Sequence, residues 1–189
     1  AQFSRVDAIA MKNTQKVLSS FQKHRVAEGD CVGTTGYGYD DEGRDKLERI
    51  YTDIFGTKDA LVRLQFVNGT HAITAALFGC LRPGDTLVSA VGAPYDTMLG
   101  VIGVTDKGPG SLREYGVNYC EVPLLDNAPD KRGIAEAVKR PGVKAVLLQR
   151  SRGYATRASL PVETIGELCA VIREANPKVH ILVDNCYGE

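Results

Sequence analysis

Three short stretches of this chain bring together an anion-binding turn, an aromatic ring and a carboxylate. The carboxylate lies in Ile181-Leu182-Val183-Asp184-Asn185-Cys186-Tyr187-Gly188-Glu189, an apolar run that delivers Asp184 to its own carboxyl end. An Asp at the tip of a buried parallel strand sits where open α/β sheets bind ligands; a fixed anion there can hold a proton on a heterocyclic nitrogen or grip a metal. The turn lies in Phe66-Val67-Asn68-Gly69-Thr70-His71-Ala72-Ile73, which reads as a strand end, a Gly turn and a helix start. The free backbone N–H groups of such a helix mouth attract phosphate. Gly69 allows close backbone approach, and the Thr70 hydroxyl can donate one more hydrogen bond without adding charge. The ring is in Gly92-Ala93-Pro94-Tyr95-Asp96-Thr97, which follows the apolar run Thr86 to Ala90 and so stands at another strand end. Phosphate mouth, stacking ring and terminal Asp together suit a phosphorylated pyridine.

Taken singly, each feature has a plainer reading. Asp184 after an apolar strand can start a turn or cap; Gly69-Thr70 can be an ordinary strand-to-helix turn; Tyr95 can be packing. An acidic strand end also fits a nucleotide hydrolase, but that chemistry needs a Gly-x-x-x-x-Gly-Lys-Ser/Thr loop, which the sequence lacks. Gly33, Gly36 and Gly38 imitate a dinucleotide loop, yet no apolar strand precedes them and their spacing is wrong for that fingerprint. His71 reads as a structural histidine at its helix start. Cys186 has no base to activate it and reads as a buried small side chain.

The stretches Gly36-Tyr37-Gly38-Tyr39-Asp40-Asp41-Glu42-Gly43-Arg44, Asn68-Gly69-Thr70-His71-Ala72-Ile73, Gln149-Arg150-Ser151-Arg152-Gly153-Tyr154 and Val183-Asp184-Asn185-Cys186-Tyr187-Gly188-Glu189 span most of the chain. In them the sequence resembles the pyridoxal-phosphate enzymes of fold type I that serve Cys/Met metabolism. It is most similar to the branch named methionine gamma-lyase-like, cystathionine beta-lyase-like or aluminium resistance proteins. The resemblance implies that Gly69 and Thr70 bind the phosphate of pyridoxal 5'-phosphate, that Tyr95 stacks on its ring and that Asp184 pairs with the pyridine nitrogen. Where better-known lyases reach the phosphate from a neighbouring subunit with a Tyr-x-Arg pair, this chain offers Tyr37, Tyr39 and, further on, Arg44. Where they carry an Asn-Pro after the strand matching Val143 to Gln149, it has Arg150-Ser151-Arg152-Gly153, and Arg150 or Arg152 can meet a substrate carboxylate in a bidentate pair. The Schiff-base lysine of this fold lies beyond the Asp, past at least one further strand, and no Lys among the 189 residues matches it. Lys139, Lys144 and Lys178 fall near polar ends of elements or in turns, where solvated charge is expected.

The implied activity is a carbon–sulfur lyase acting on an amino acid of cystathionine or methionine type, by Schiff-base formation, Cα deprotonation and elimination of a thiol. The implied assembly is a homodimer or homotetramer with active sites between subunits. Another reaction of the same fold, such as that of an aminotransferase or aldolase, stays open at this point, as does a non-catalytic α/β binding or assembly module.

Positioning these residues calls for alternating strands and helices. Arg5 to Val26 places Val6, Ile9, Val17 and Phe21 among charges at helical spacing, and Arg44 to Phe55 does the same with Leu47, Ile50, Tyr51 and Ile54 before Gly56 as a stop. Between them Gly29 to Gly43 holds five glycines and reads as a long loop. Strands are expected at Ala60 to Val67, Thr86 to Ala90, Asn118 to Val122, Val143 to Gln149 and His180 to Val183. Helices are expected at His71 to Leu81, Tyr95 to Ile102, Ile134 to Lys139 and Val162 to Glu174. Such alternation predicts an α/β fold with a mostly parallel sheet flanked by helices on both faces. It corresponds to an incomplete fold type I large domain over residues 56–189, preceded by an N-terminal helical arm and Gly-rich loop over 1–55.

Composition narrows the partners. With 23 basic and 23 acidic residues there is no overall field to draw nucleic acid. Five scattered cysteines without a Cys-x-x-Cys pair, and three histidines that do not cluster with them, point to reduced thiols in a cytoplasmic protein and to no metal site. No apolar run approaches the length needed to span a membrane.

Overall fold

A computed structural model describes residues 2–35, 37, 39, 41–105 and 109–186. Gly36, Gly38 and Asp40 of the glycine-rich motif, and Tyr187, Gly188 and Glu189 of the last one, lie outside the described residues. The chain divides into two compact units, 1–66 and 67–189.

The first unit is built on two helices, α1 (Gln2–Lys23) and α2 (Glu42–Phe55), with a short 3-10 helix at Glu28–Cys31. Asp41 caps α2 by accepting the Arg44 N–H, and Gly56 ends it in the left-handed conformation at φ 64°, which an L side chain adopts only with strain. Ile50 is buried, and the Ser20 hydroxyl donates to its carbonyl. Asp53 accepts from Lys23 at 2.8 Å and lies 2.6 Å from His24 Nε2, tying the end of α1 to α2. Asp30 accepts from the Lys46 ammonium and the Ala27 N–H. Gly43 sits against the backbone of Asp30, whose carbonyl oxygen a Cβ at that position would overlap.

The strand expected at Ala60 to Val67 does not form. Leu61, Leu64 and Val67 are largely exposed. The backbone polar groups of this segment are met locally instead of in a ladder: the Val62 N–H donates to the Glu48 carboxylate and the Phe66 N–H closes a turn onto the Arg63 carbonyl. An apolar run without a neighbouring strand has no ladder to join, and its N–H groups take other acceptors.

The second unit is an α/β layer structure. Its order is α3 (Gly69–Cys80), β1 (Thr86–Ser89), α4 (Asp96–Ile102), β2 (Asn118–Glu121), α5 (Lys131–Val138), β3 (Val143–Gln149), α6 (Val162–Ala175) and β4 (His180–Asp184). The four strands form one parallel sheet in the order β2-β1-β3-β4. Successive side chains of a strand face opposite sides, and both sides are covered here. On one, Val88, Val146, Leu148 and Ile181 pack with Ile134, Val138, Leu168 and Ile172 of α5 and α6. On the other, Leu87, Ala145, Leu147 and Leu182 pack with Leu77 of α3 and Met98 and Ile102 of α4. The chain leaves β1 toward β2 on one side, then returns past it to β3 on the other. That reversal makes the crevice outside the carboxyl ends of β1 and β3 a topological switch point, the usual ligand position in open parallel sheets.

Candidate functional site

The site is assembled from the carboxyl ends of three strands and the start of one helix. Asn68 is extended and its side-chain oxygen caps α3, accepting the His71 N–H at 2.8 Å, while its carbonyl accepts from Ala72. The cap leaves the N–H groups of Gly69 and Thr70 without acceptors among the described residues, pointing out of the helix mouth as its geometry requires. A Cβ at Gly69 would meet nothing within 4 Å, so the approach is open.

Beyond β1 the chain turns at Gly92, with φ 81°, and reaches Tyr95, the N-cap of α4. The Tyr95 N–H donates to Gln149 Oε1 at 2.8 Å, and its hydroxyl lies 2.9 Å from Thr70 Oγ1. Tyr95 is thereby held at both ends, by the tip of β3 and by the mouth of α3. At the end of β4, Asp184 is 8% exposed. One oxygen accepts the Cys186 N–H at 3.0 Å; the other has no hydrogen bond among the described residues.

These groups converge on a cavity of about 400 Å³ lined by Asn68, Gly69, Thr70, Tyr95 and Asp184, together with Ile73, Asp96, Ser151, Gly153, Tyr154 and Cys186. That volume is within the range of small-molecule sites. The donor set suits a phosphorylated pyridine: N–H groups and a hydroxyl for an anion, an aromatic face for a ring, and a carboxylate for a protonated ring nitrogen.

The expected arginines are not among the residues that line this cavity. Arg150 donates through Nε to the Leu160 carbonyl and through Nη1 to Asn185, and Arg152 is exposed; neither lines the cavity. Tyr37 and Tyr39 belong to the first unit and are more than 80% exposed. Lys139, Lys144 and Lys178 are exposed, as solvated surface charge should be. His71 fits the structural reading, its Nδ1 accepting the Val67 N–H. Cys186 does not fit the reading made of it. It is exposed and lines the cavity, because β4 ends at Asp184 and the chain turns outward through the hydrogen bond between the Asp184 side chain and the Cys186 N–H.

Sequence reasoning passed over two residues behind the site. Gln149 is buried and grips Tyr95, and Arg157, also buried, is pulled below the ordinary arginine value by loss of solvent. The tip position of Gln149 on β3 was a usable signal; nothing in the local pattern marked Arg157. All five cysteines are free, and burial pushes the thiols of Cys120 and Cys169 up, away from reactivity. Among the described residues no cluster of His, Cys, Asp and Glu could hold a metal, and no helix is long and apolar enough to cross a membrane.

Comparison with known proteins agrees with this architecture. The crystal structure of a Clostridium acetobutylicum protein, provisionally named a cystathionine beta-lyase involved in aluminum resistance, is 49% identical. It superposes with a TM-score of 0.95 over 100% of this chain and 45% of its own. A carbon-sulfur lyase involved in aluminum resistance from Clostridium novyi NT is 43% identical at a TM-score of 0.92. The uncharacterized protein YnbB of Bacillus subtilis (strain 168) is 44% identical over 97% of this chain and 44% of its own length. The chain thus spans less than half the length of these relatives. A cystathione gamma lyase from Micromonospora echinospora, at 22% identity and a TM-score of 0.55, shares the fold. The α/β architecture is that of part of a fold type I pyridoxal-phosphate enzyme. The sequence model described as Methionine gamma-lyase matches residues 1–189, and the chain belongs to that family.

Proposed function

We propose that this chain is part of a pyridoxal-phosphate-dependent carbon–sulfur lyase that eliminates a thiol from a sulfur-containing amino acid. The observation that carries the reading is the convergence of the α3 mouth, the Tyr95 ring and the Asp184 carboxylate on one cavity. Bound pyridoxal phosphate supplies an electron sink that acidifies the Cα–H of an attached amino acid. The residues of this chain hold that sink in place. The Gly69 and Thr70 N–H groups and the Thr70 hydroxyl take the phosphate, whose negative charge the helix mouth favours. Tyr95, which lines the cavity, would stack on the ring. Asp184, fixed by the Cys186 N–H and shielded from water, keeps a proton on the ring nitrogen. Neither Arg150 nor Arg152 lines the cavity, but each adjoins Ser151, which does, and one of them would meet the substrate carboxylate from the cavity's edge.

The second unit is then the first part of the cofactor-binding domain, and the lysine that holds the cofactor lies outside these 189 residues. This chain covers 45% of the Clostridium acetobutylicum relative, which has chain outside the shared part for such a lysine. The enzyme works as a cytoplasmic homodimer or homotetramer, and Tyr37 and Tyr39 of one subunit approach the cofactor phosphate of its neighbour.

The complete protein, reduced with borohydride and weighed intact, should carry one reduced pyridoxal-phosphate adduct per chain. Incubated with cystathionine or methionine, it should release a thiol, ammonia and pyruvate or 2-oxobutanoate. Adduct formation with exchange of the amino group and no thiol release would instead mark an aminotransferase. No adduct would leave a binding module.

A further inference from the structure

The loop that leaves β3 is organised around a residue the proposed chemistry does not use. Arg157 is 3% exposed, yet among the described residues it has no carboxylate partner. Its guanidinium donates to three carbonyl oxygens, those of Ala158 at 2.9 Å, Gln149 at 2.9 Å and Ser151 at 2.5 Å. A buried cation must replace its lost hydration, and here the replacement is the backbone of the loop itself, wrapped around the planar donor fork.

Gln149 carries the consequence toward the cavity. It is 4% exposed and both ends of its amide are used: Nε2 donates to the Ser151 carbonyl at 3.1 Å, and Oε1 accepts the Tyr95 N–H at 2.8 Å. The Ser151 carbonyl is therefore shared by Arg157 and Gln149, which fixes the amide's orientation. Gly153, at φ 56°, lies against Gln149 and Tyr95; a Cβ there would come within 3.2 Å of Gln149 Nε2 and 3.8 Å of the Tyr95 Cβ. From Tyr95 the chain of contacts continues through its hydroxyl to Thr70 at the mouth of α3.

We propose that Arg157 and Gln149 are a positioning pair that sets the place of the Tyr95 ring, and through its hydroxyl the Thr70 side chain, from behind the site. This rests on the reading of Tyr95 as the platform for the cofactor ring. The pair touches no substrate. It converts the burial of one arginine into a fixed register between the ends of β1 and β3, the two strands that flank the switch point.

The test uses Gln149→Leu, Arg157→Met and their double variant in the complete protein. Without cofactor, the Tyr95 amide should exchange with solvent about tenfold faster in each, because its acceptor is removed or released. Pyridoxal 5'-phosphate should bind about tenfold more weakly, with an altered visible circular dichroism band. The double variant should lose no more than the worse single, since both act through Tyr95. Gln149→Glu, which keeps an acceptor for the Tyr95 N–H but loses the donor to the Ser151 carbonyl, should protect the Tyr95 amide more than Gln149→Leu and less than the parent, and carries the test if Arg157→Met does not fold. Leu168→Ala, in the packing of α6, should lower the melting temperature and leave exchange at Tyr95 and the dichroism unchanged. Unchanged Tyr95 exchange, additive losses, or the same spectral change in Leu168→Ala would overturn the proposal. Faster Tyr95 exchange in a protein that binds no pyridoxal phosphate would uphold the positioning pair and remove the cofactor reading instead.

Discussion

Asp184 keeps its place with one oxygen, and the other has no partner among the described residues. The Cys186 N–H holds Oδ1, and Asn at 184 would preserve that acceptor while removing the charge. On the proposed chemistry, Asp184→Asn should bind pyridoxal phosphate with nearly the parent affinity and lose about 10²–10³ in kcat, the scale of losing one preorganised electrostatic contact. The parent melting temperature should be retained. Turnover within a factor of three of the parent would show that this carboxylate does not tune the ring. Tyr95 allows a similar separation. Tyr95→Phe keeps the ring and deletes only the 2.9 Å link to Thr70; a single neutral hydrogen bond is worth about 1 kcal/mol. Cofactor binding should weaken roughly fivefold by that measure, whereas Tyr95→Ala, which removes the stacking face, should weaken it far more. Equal effects in a fluorescence titration would mean that the hydroxyl, not the ring, is what the site uses.

At the scale of elements, α3 couples stability to anion binding through one cap. Asn68→Ala removes the acceptor of the His71 N–H, costing about 1 kcal/mol of stability, and should also loosen the phosphate mouth. Asn68→Asp keeps the cap but places a negative charge beside the N–H groups of Gly69 and Thr70. The Asp variant should melt like the parent and bind pyridoxal phosphate more weakly, a split that a mere loss of folding cannot produce. Identical losses of stability and affinity in the two variants would refute it. These elements were legible because periodicity and caps coincide. Thr86–Ser89 and Val143–Gln149 are short, apolar and mostly buried, His180–Asp184 is a short run that buries Asp184 at its end, and α2 ends at Gly56 where a left-handed residue was needed. The convergence of Gly69, Thr70, Tyr95 and Asp184 was also legible, because each stands at a strand end or helix start and parallel sheets gather those at one edge. Ala60 to Val67 misled because apolar residues alone do not make a strand; a ladder partner does. Arg157 stayed hidden because its partners are carbonyls, and a carbonyl leaves no mark on side-chain pattern.

Across the whole molecule the two units rest on different physics. The second has sheet faces packed on both sides by buried Leu, Ile and Val. In the first, Ile50 is the one buried large apolar side chain among the described residues, and Phe3, Val6, Ile9, Met11 and Leu18 of α1 are more than half exposed. Charged pairs tie its segments together. Asp30 is held below the ordinary carboxylate value by the Lys46 ammonium and the Ala27 N–H, and Asp53 by Lys23 and then His24. A carboxyl with a depressed native pKa contributes fully above its unfolded value, near pH 4, and loses that contribution as pH falls through the native value. Acid should therefore melt the first unit before the second. In an acid titration followed by NMR, the α1 and α2 resonances should lose dispersion below about pH 4 while those of the sheet persist. Asp53→Asn should weaken the first unit at neutral pH and partly flatten its acid response, because position 53 then has no charge to lose while Asp30 keeps its own. Added salt should act in the same direction on the Lys23–Asp53 pair, whose lysine is 66% exposed. Loss of both units at one pH, or an Asp53→Asn variant with the parent's acid profile, would mean that these pairs do not hold the first unit together.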